Sequence, residues 1–146
     1  MHEAIRLLRD LVAIDSVNPT LVPGAAGEAR IAERVADELR RAGLDVSVQE
    51  AAPGRPNVVG VLEGRGSGKT LMLCGHLDTV GVLGMAAPFD PVLRDGRLYG
   101  RGAQDMKGEG ILQLVALLRL KREGLVLDRD VLFLATADEE AGFAGA

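Results

Sequence analysis

The sequence predicts an α/β fold: a three-layer α/β/α sandwich around a mostly parallel central sheet. Three observations carry that expectation. Two early segments and one after residue 105 repeat apolar residues at helical spacing. Leu71–Cys74 and Val131–Ala135 are short, continuous apolar runs, the pattern of central strands covered on both faces. Helices alternating with such strands build a sheet flanked by helical layers.

The first helix is expected from the stripe Ile5, Leu8, Leu11 and Val12, with charges opposite. It should end near Asn18, because the residue before Pro19 is pushed out of the helical region. A second helix is expected over Glu28–Ala42, with Ile31, Val35 and Leu39 buried and Ala32, Ala36 and Ala42 beside them. Gly43 followed by Leu44 is its stop signal. The period then changes to two. Leu44, Val46 and Val48 alternate with Asp45, Ser47 and Gln49, as in a strand with one wet face. Asn57–Leu62 reads as its hairpin partner. Asp95-Gly96, flanked by Val92-Leu93-Arg94 and Arg97-Leu98-Tyr99, signals a second hairpin. The third helix, about Met106–Lys121, carries Ile111, Leu114, Val115 and Leu118. It is apolar nearly all round and should be deeply buried. Gly124-Leu125 ends it.

With 146 residues, 47% of them hydrophobic, the chain fits one globular domain with a real core. Its net charge of −4 offers no basic footprint for nucleic acid or an anionic membrane. A single cysteine, Cys74, precludes an internal disulfide and suits a reducing compartment. Within an apolar strand it should be a buried, inert thiol. Glu3, Arg6, Arg9 and Asp10 interrupt every apolar run of the N-terminus, unlike a signal peptide, and no run approaches the ~20 apolar residues of a membrane span. A cytoplasmic location is the expectation.

Chemistry concentrates in three segments. Gly75-His76-Leu77-Asp78-Thr79-Val80 follows the first apolar strand, where ligands of open α/β sheets bind. An imidazole there is a natural metal ligand, and Asp78 can fold back to fix its tautomer. The plainer alternative is a strand-end histidine satisfying a loop. Tyr99-Gly100-Arg101-Gly102-Ala103-Gln104-Asp105-Met106-Lys107-Gly108 forms a tight glycine loop before the third helix. Asp105 there is either an ordinary helix cap or a carboxylate free to bridge two cations. Thr136-Ala137-Asp138-Glu139-Glu140 closes the second apolar strand. Three consecutive acids repel one another unless a positive charge sits among them, although solvated acidic loops are common.

The motifs G-H-L-D-T-V, Y-G-R-G-A-Q-D-M-K-G and T-A-D-E-E-A-G, with Asn18-Pro19-Thr20 as a weaker match, give the chain its resemblance to a known family. It resembles the family of acetylornithine deacetylase, succinyl-diaminopimelate desuccinylase, aminoacylase and glutamate carboxypeptidase over essentially its whole length. The resemblance implies a metal-dependent hydrolase that cleaves an amide bond of a small N-acyl amino acid or peptide. It implies two divalent metal ions, zinc with cobalt as the alternative. His76 would bind one metal and Glu140 the other, with Asp105 bridging both. Asp78 would orient His76, and Glu139 would be the general base. A cis peptide bond between Asp105 and Met106 is implied as well. Glu109 and Phe143 depart from the family pattern, standing where small residues, commonly glycine, are usual; neither is an implied ligand.

By the same resemblance, residues 1–146 are the N-terminal part of the catalytic domain. The rest of that domain, with further metal ligands, and a smaller domain that closes over substrate and builds a homodimer would lie beyond. Acetylornithine is the first guess at substrate, from the local match over Asp95–Gly108. A different class stays open: a non-catalytic remnant serving as an interaction or weak metal-binding module. Gly64-Arg65-Gly66-Ser67-Gly68-Lys69-Thr70 imitates a phosphate-binding loop. However, Glu63 stands where that motif needs glycine, and a strand follows instead of a helix.

Overall fold

The computed structural model describes residues 2–66 and 68–146. In chain order its elements are α1 (Glu3–Val12), α2 (Ala29–Arg41), β1 (Asp45–Ala52), β2 (Arg55–Leu62), β3 (Leu71–His76), β4 (Val92–Arg94), β5 (Arg97–Tyr99), α3 (Lys107–Arg122) and β6 (Val131–Thr136). α2 buries the expected Ile31, Ala32, Val35, Ala36 and Leu39. Gly43 ends it in the left-handed region (φ 75°), with the Gly43 amide donating to Arg40 O and the Leu44 amide to Leu39 O. α3 ends in the same way at Gly124 and Leu125. α1 stops at Val12, short of the expected Asn18. The difference has a local cause. Residues 16–18 run extended beside Thr79, with the Thr79 amide donating to Ser16 O and the Asn18 amide to Thr79 O. Its buried face also includes Leu7, which the expected stripe lacked.

The α/β class stands, but two of its expected details do not. The main sheet has the order β1-β2-β6-β3, and of its pairings only β3–β6 is parallel. The sheet is therefore mostly antiparallel. β1 and β2 form a hairpin, which fixes them antiparallel, and β6 docks on that hairpin. β3 and β6 are joined through α3, the crossover that a parallel pair requires.

The second detail is the layering. Val58, Leu62, Val131, Phe133 and Ala135 share one sheet face with Gly60, whose added Cβ would meet Leu39 of α2 at 3.0 Å. Gly75, on that same face, opposes Met106 at the start of α3. Leu7 and Leu11 of α1 join the same core. All described helices thus cover one face, so within this chain the sandwich has two layers. Val59, Val61, Leu132 and Leu134 on the other face are half-buried, and Met72 and Cys74 are exposed. The expectation of a buried thiol at Cys74 is corrected accordingly. β6 is central as expected, whereas β3 is an edge strand. A run of apolar residues reports that a strand is apolar, not which of its faces finds a partner.

α3 is corrected for the same reason. Ile111, Leu114, Leu117 and Leu118 are buried, but Leu112 lies 68% exposed on the side facing away from α1 and the sheet. The phosphate-loop look-alike is a connection pinned to residues 127–130: the Arg65 amide donates to Leu127 O and the Gly64 amide to Asp130 Oδ1. β3 follows it, as expected; Ser67 lies outside the described residues.

One helix gives a direct check of this layering. Leu117→Ala, at a fully buried site, should cost ~2–5 kcal/mol in denaturant unfolding, whereas Leu112→Lys should stay within ~0.5 kcal/mol of the parent.

Candidate metal centre

The parallel pair β3–β6 sets the base of the site. Its register places His76 opposite Thr136, so the segments following each strand emerge side by side from one sheet end. His76 is almost completely enclosed. Its Nδ1 lies 3.0 Å from the Asp78 carbonyl oxygen and 3.4 Å from Asp78 Oδ1. Both are acceptors, so the Nδ1 proton is held there and Nε2 points outward. Nε2 stands 3.2 Å from Asp105 Oδ1 and 3.6 Å from Glu139 Oε2.

Asp105 reaches the site through the glycine loop. Gly102 has φ 77°, and a Cβ there would meet Thr79 Cγ2 at 2.9 Å and the Lys107 side chain at 3.0 Å. The Lys107 amide donates to Gly102 O, and Lys107 Nζ reaches Ile14 O at 2.7 Å, tying the start of α3 to the segment after α1. The Asp105–Met106 peptide bond is cis, as the family resemblance implies. Met106 is the N-cap of α3, and no side chain caps that helix, so the Asp105 carboxylate is not spent on a helix end. Met106 Sδ instead accepts from the His76 amide at 3.1 Å. Glycine at 75 leaves room for that approach: a Cβ there would lie 2.7 Å from Met106 Cε, and the methionine end would have to move aside.

Asp78 does more than orient the imidazole. Its carboxylate accepts from the Glu139 amide at 3.1 Å, the Glu140 amide at 3.0 Å and Asn18 Nδ2 at 2.6 Å. The acidic loop is therefore anchored by the Glu139 and Glu140 amides on Asp78, which leaves those two side chains free to face the site. The three acids divide. Asp138 turns inward and is buried, while Glu139 and Glu140 stay on the site side. Ligand atoms of His76, Asp105 and Glu140 lie within 4.8 Å of one another. One imidazole nitrogen and two carboxylates form a donor set suited to a divalent cation of the zinc type. All five site residues expected from sequence are brought together.

Sequence reasoning left other polar residues without roles. Asn18 Nδ2 donates to Asp138 Oδ1 at 3.0 Å as well as to Asp78, and its own oxygen accepts from the Thr20 amide. Asn18-Pro19-Thr20 was the one faint signal for this. Arg55 and Glu28, both buried behind the loop, carried none.

Comparison with known proteins agrees with this geometry. The profile of peptidase family M20/M25/M40 matches residues 72–146, from β3 through the acidic loop. The chain belongs to that family. It is 35% identical over 147 residues to acetylornithine deacetylase of Photorhabdus laumondii, spanning 97% of this chain and 37% of that protein. It is 32% identical over 150 residues to the N-formyl-4-amino-5-aminomethyl-2-methylpyrimidine deformylase of Bacillus subtilis, spanning 99% and 34%. Human carnosine dipeptidase 1 superposes with a TM-score of 0.82 at 25% identity, over 98% of this chain and 33% of that one. The chain thus spans about a third of the length of the curated relatives it matches. The two departures from the M20 pattern differ in cost. Glu109 is exposed in the first turn of α3, where the helix dipole tolerates an acid. Phe143 adopts φ 55°, a conformation natural to the glycine usual there.

The electrostatics of the site favour a bound cation. Burial acts to lower the His76 pKa, but the hydrogen bond and charge of Asp78, together with Glu139, outweigh it and push it up to about 9. Burial acts to raise the Asp78 pKa, but His76, Asn18 and the Glu140 and Glu139 amides hold it down at about 2. Glu140 is raised by burial and then by the charge of Asp105, with His76 opposing. Without metal the ring is protonated at neutral pH, and it must lose that proton to ligate. Apparent Zn²⁺ or Co²⁺ affinity should therefore fall as pH drops below about 9, by up to ~10-fold per unit. Titration calorimetry in buffers of different ionisation enthalpy should show about one proton released per chain, from His76, as the site fills near pH 7.

Proposed function

We propose that this chain supplies the N-terminal half of the catalytic centre of a metal-dependent amide hydrolase acting on small N-acyl amino acids or related N-acyl amines. The observation that carries this reading is the convergence of His76, Asp105 and Glu140 within 4.8 Å, beside the free carboxylate of Glu139. Relatives named for removing acetyl and formyl groups support the substrate class. Acetylornithine remains the first candidate, with zinc or cobalt as the metal.

In this reading His76 would hold one ion and Glu140 the other, with Asp105 shared between them. The ions, when bound, polarise the scissile carbonyl and favour ionisation of water. The chain's own groups do the remaining work. Asp78 keeps the His76 ring turned with Nε2 outward. Glu139, half-exposed at the mouth of the site, takes a proton from the attacking water as its oxygen bonds to the carbonyl carbon. It returns that proton to the amine nitrogen as the C–N bond breaks. The products are a carboxylic acid and a free amine.

Two measurements test this. In the complete open reading frame, Glu139→Gln should retain both metals by elemental analysis yet lose ~10²–10⁴ in turnover of N-acetylornithine. Glu140→Gln should lose metal instead, and the reverse pattern would exchange the two roles. Residues 1–146 alone, given excess Zn²⁺ or Co²⁺, should hydrolyse no member of an N-acyl amino acid panel. A catalytic zinc usually has three protein ligands, and the shared set here gives each of two ions only two. A complete reading frame that is inert on the whole panel, with metal bound, would favour the non-catalytic module.

A further inference from the structure

Behind the site two buried carboxylates face each other across one cation. Glu28, the N-cap residue of α2, is fully enclosed, and Asp138 nearly so. Arg55, the first residue of β2, is buried between them. Its Nε donates to Glu28 Oε2 at 2.8 Å, and Nη2 donates to Glu28 Oε1. Nη1 donates to Asp138 Oδ1 at 2.8 Å and to Thr20 Oγ1 at 3.0 Å. A guanidinium can hold Glu28 with two parallel donors and still reach Asp138, because its donors are fixed in a planar fork; an ammonium keeps the charge but not the bidentate pair.

Asp138 is also the point where the loop after β6 changes direction. It adopts φ 64°, left-handed for a residue that is not glycine. The turn sends its side chain back to Arg55 and Asn18 and presents the next two amides to Asp78. Asn18 Nδ2 serves Asp138 Oδ1 and Asp78 Oδ2 together, which brings two carboxylates onto a single amide group. Two anions so placed repel unless one is compensated. Arg55 supplies that compensation on the side away from the site.

We propose that Arg55 is a positioning residue for the reaction: by holding Asp138 against Asn18 it sets the direction in which Glu139 and Glu140 leave β6. It touches neither glutamate and none of the His76, Asp105 and Glu140 donor atoms. Its consequence for metal binding rests on the reading of those donors given above; its effect on the loop does not. An alternative in which Arg55 only adds stability predicts loss spread over the whole domain.

The test compares metal-free, ¹⁵N-labelled residues 1–146 as parent, Arg55→Met, Arg55→Lys and Arg34→Met. Arg34 pairs with Glu38 at 2.7 Å and Asp10 at 3.1 Å, away from the site, and serves as the control for lost stability. Amide exchange at Glu139 and Glu140, relative to the strand amides of Phe133 and Ala135, should accelerate at least ~10-fold in Arg55→Met. Arg55→Lys keeps the charge but not the fork and should fall between, and Arg34→Met should show no such local change. The Co²⁺ visible spectrum should change intensity and position in both Arg55 variants and not in Arg34→Met. If Arg55→Met is too unstable to fold, the same comparison is made with Arg55→Lys. Parent-like relative exchange at Glu139 and Glu140 in the folded Arg55 variants overturns the proposal, whatever cobalt does. A parent chain that shows the amide pattern but develops no cobalt spectrum leaves the positioning role standing, and the cobalt comparison then passes to the complete open reading frame, where a missing spectrum removes the metal reading.

Discussion

Segments far apart in the sequence meet on the carboxylate of Asp78. Asn18 arrives from the extended stretch after α1, the Glu139 and Glu140 amides arrive from the end of β6, and His76 leans on it from β3. A buried carboxylate needs several donors to remain charged, and here three hydrogen bonds and an imidazole satisfy it. The arrangement works in both directions. Each partner stabilises the charge, and the charge fixes each partner's position. Loss of this one anion would release the histidine tautomer, the acidic loop and the N-terminal stretch together.

The same constraint explains why acids can crowd at this sheet end. Two of the loop's three acids have an outlet. Asp138 is compensated inside the fold by Arg55 and Asn18. Glu139 remains half-exposed, where water screens it. Glu140 has no such relief: burial and the charge of Asp105 raise its pKa, and His76 offsets only part of this. The residual repulsion is concentrated where the His76, Asp105 and Glu140 donors converge. A divalent cation is the species that would relieve it, so the folded chain is prepared for one by charge as well as by ligand type.

Packing supports this chemistry through small residues at close approaches. Gly75 admits Met106 against β3, and Gly60 admits Leu39 against β2, which seats α3 and α2 on the same sheet face. The opposite face keeps Met72 and Cys74 in contact with solvent. The site lies at the end of the sheet, reached from β3 and β6, so its geometry depends on the covered face and on the parallel pair.

The sequence by itself determined the helices apart from the end of α1, both hairpins, and which metal-ligating side chains meet at one end of the sheet. Periodicity records which side chains want burial, and Gly43-Leu44 and Gly124-Leu125 record where a helix must stop. The motifs around His76, Asp105 and Glu140 place metal-ligating types at strand and helix ends, where local backbone geometry already selects them. Tertiary structure alone decided the rest. Nothing local distinguishes an apolar strand covered on two faces from one covered on a single face, so β3, Cys74 and Leu112 were misplaced. Strand direction across β2–β6 depends on a pairing between residues some seventy apart, Val58 with Ala135 among them. The roles of Asn18, Arg55, Glu28 and Asp138 belong to the same category. A buried polar residue is defined by partners that come from elsewhere in the chain, and no window of sequence contains them.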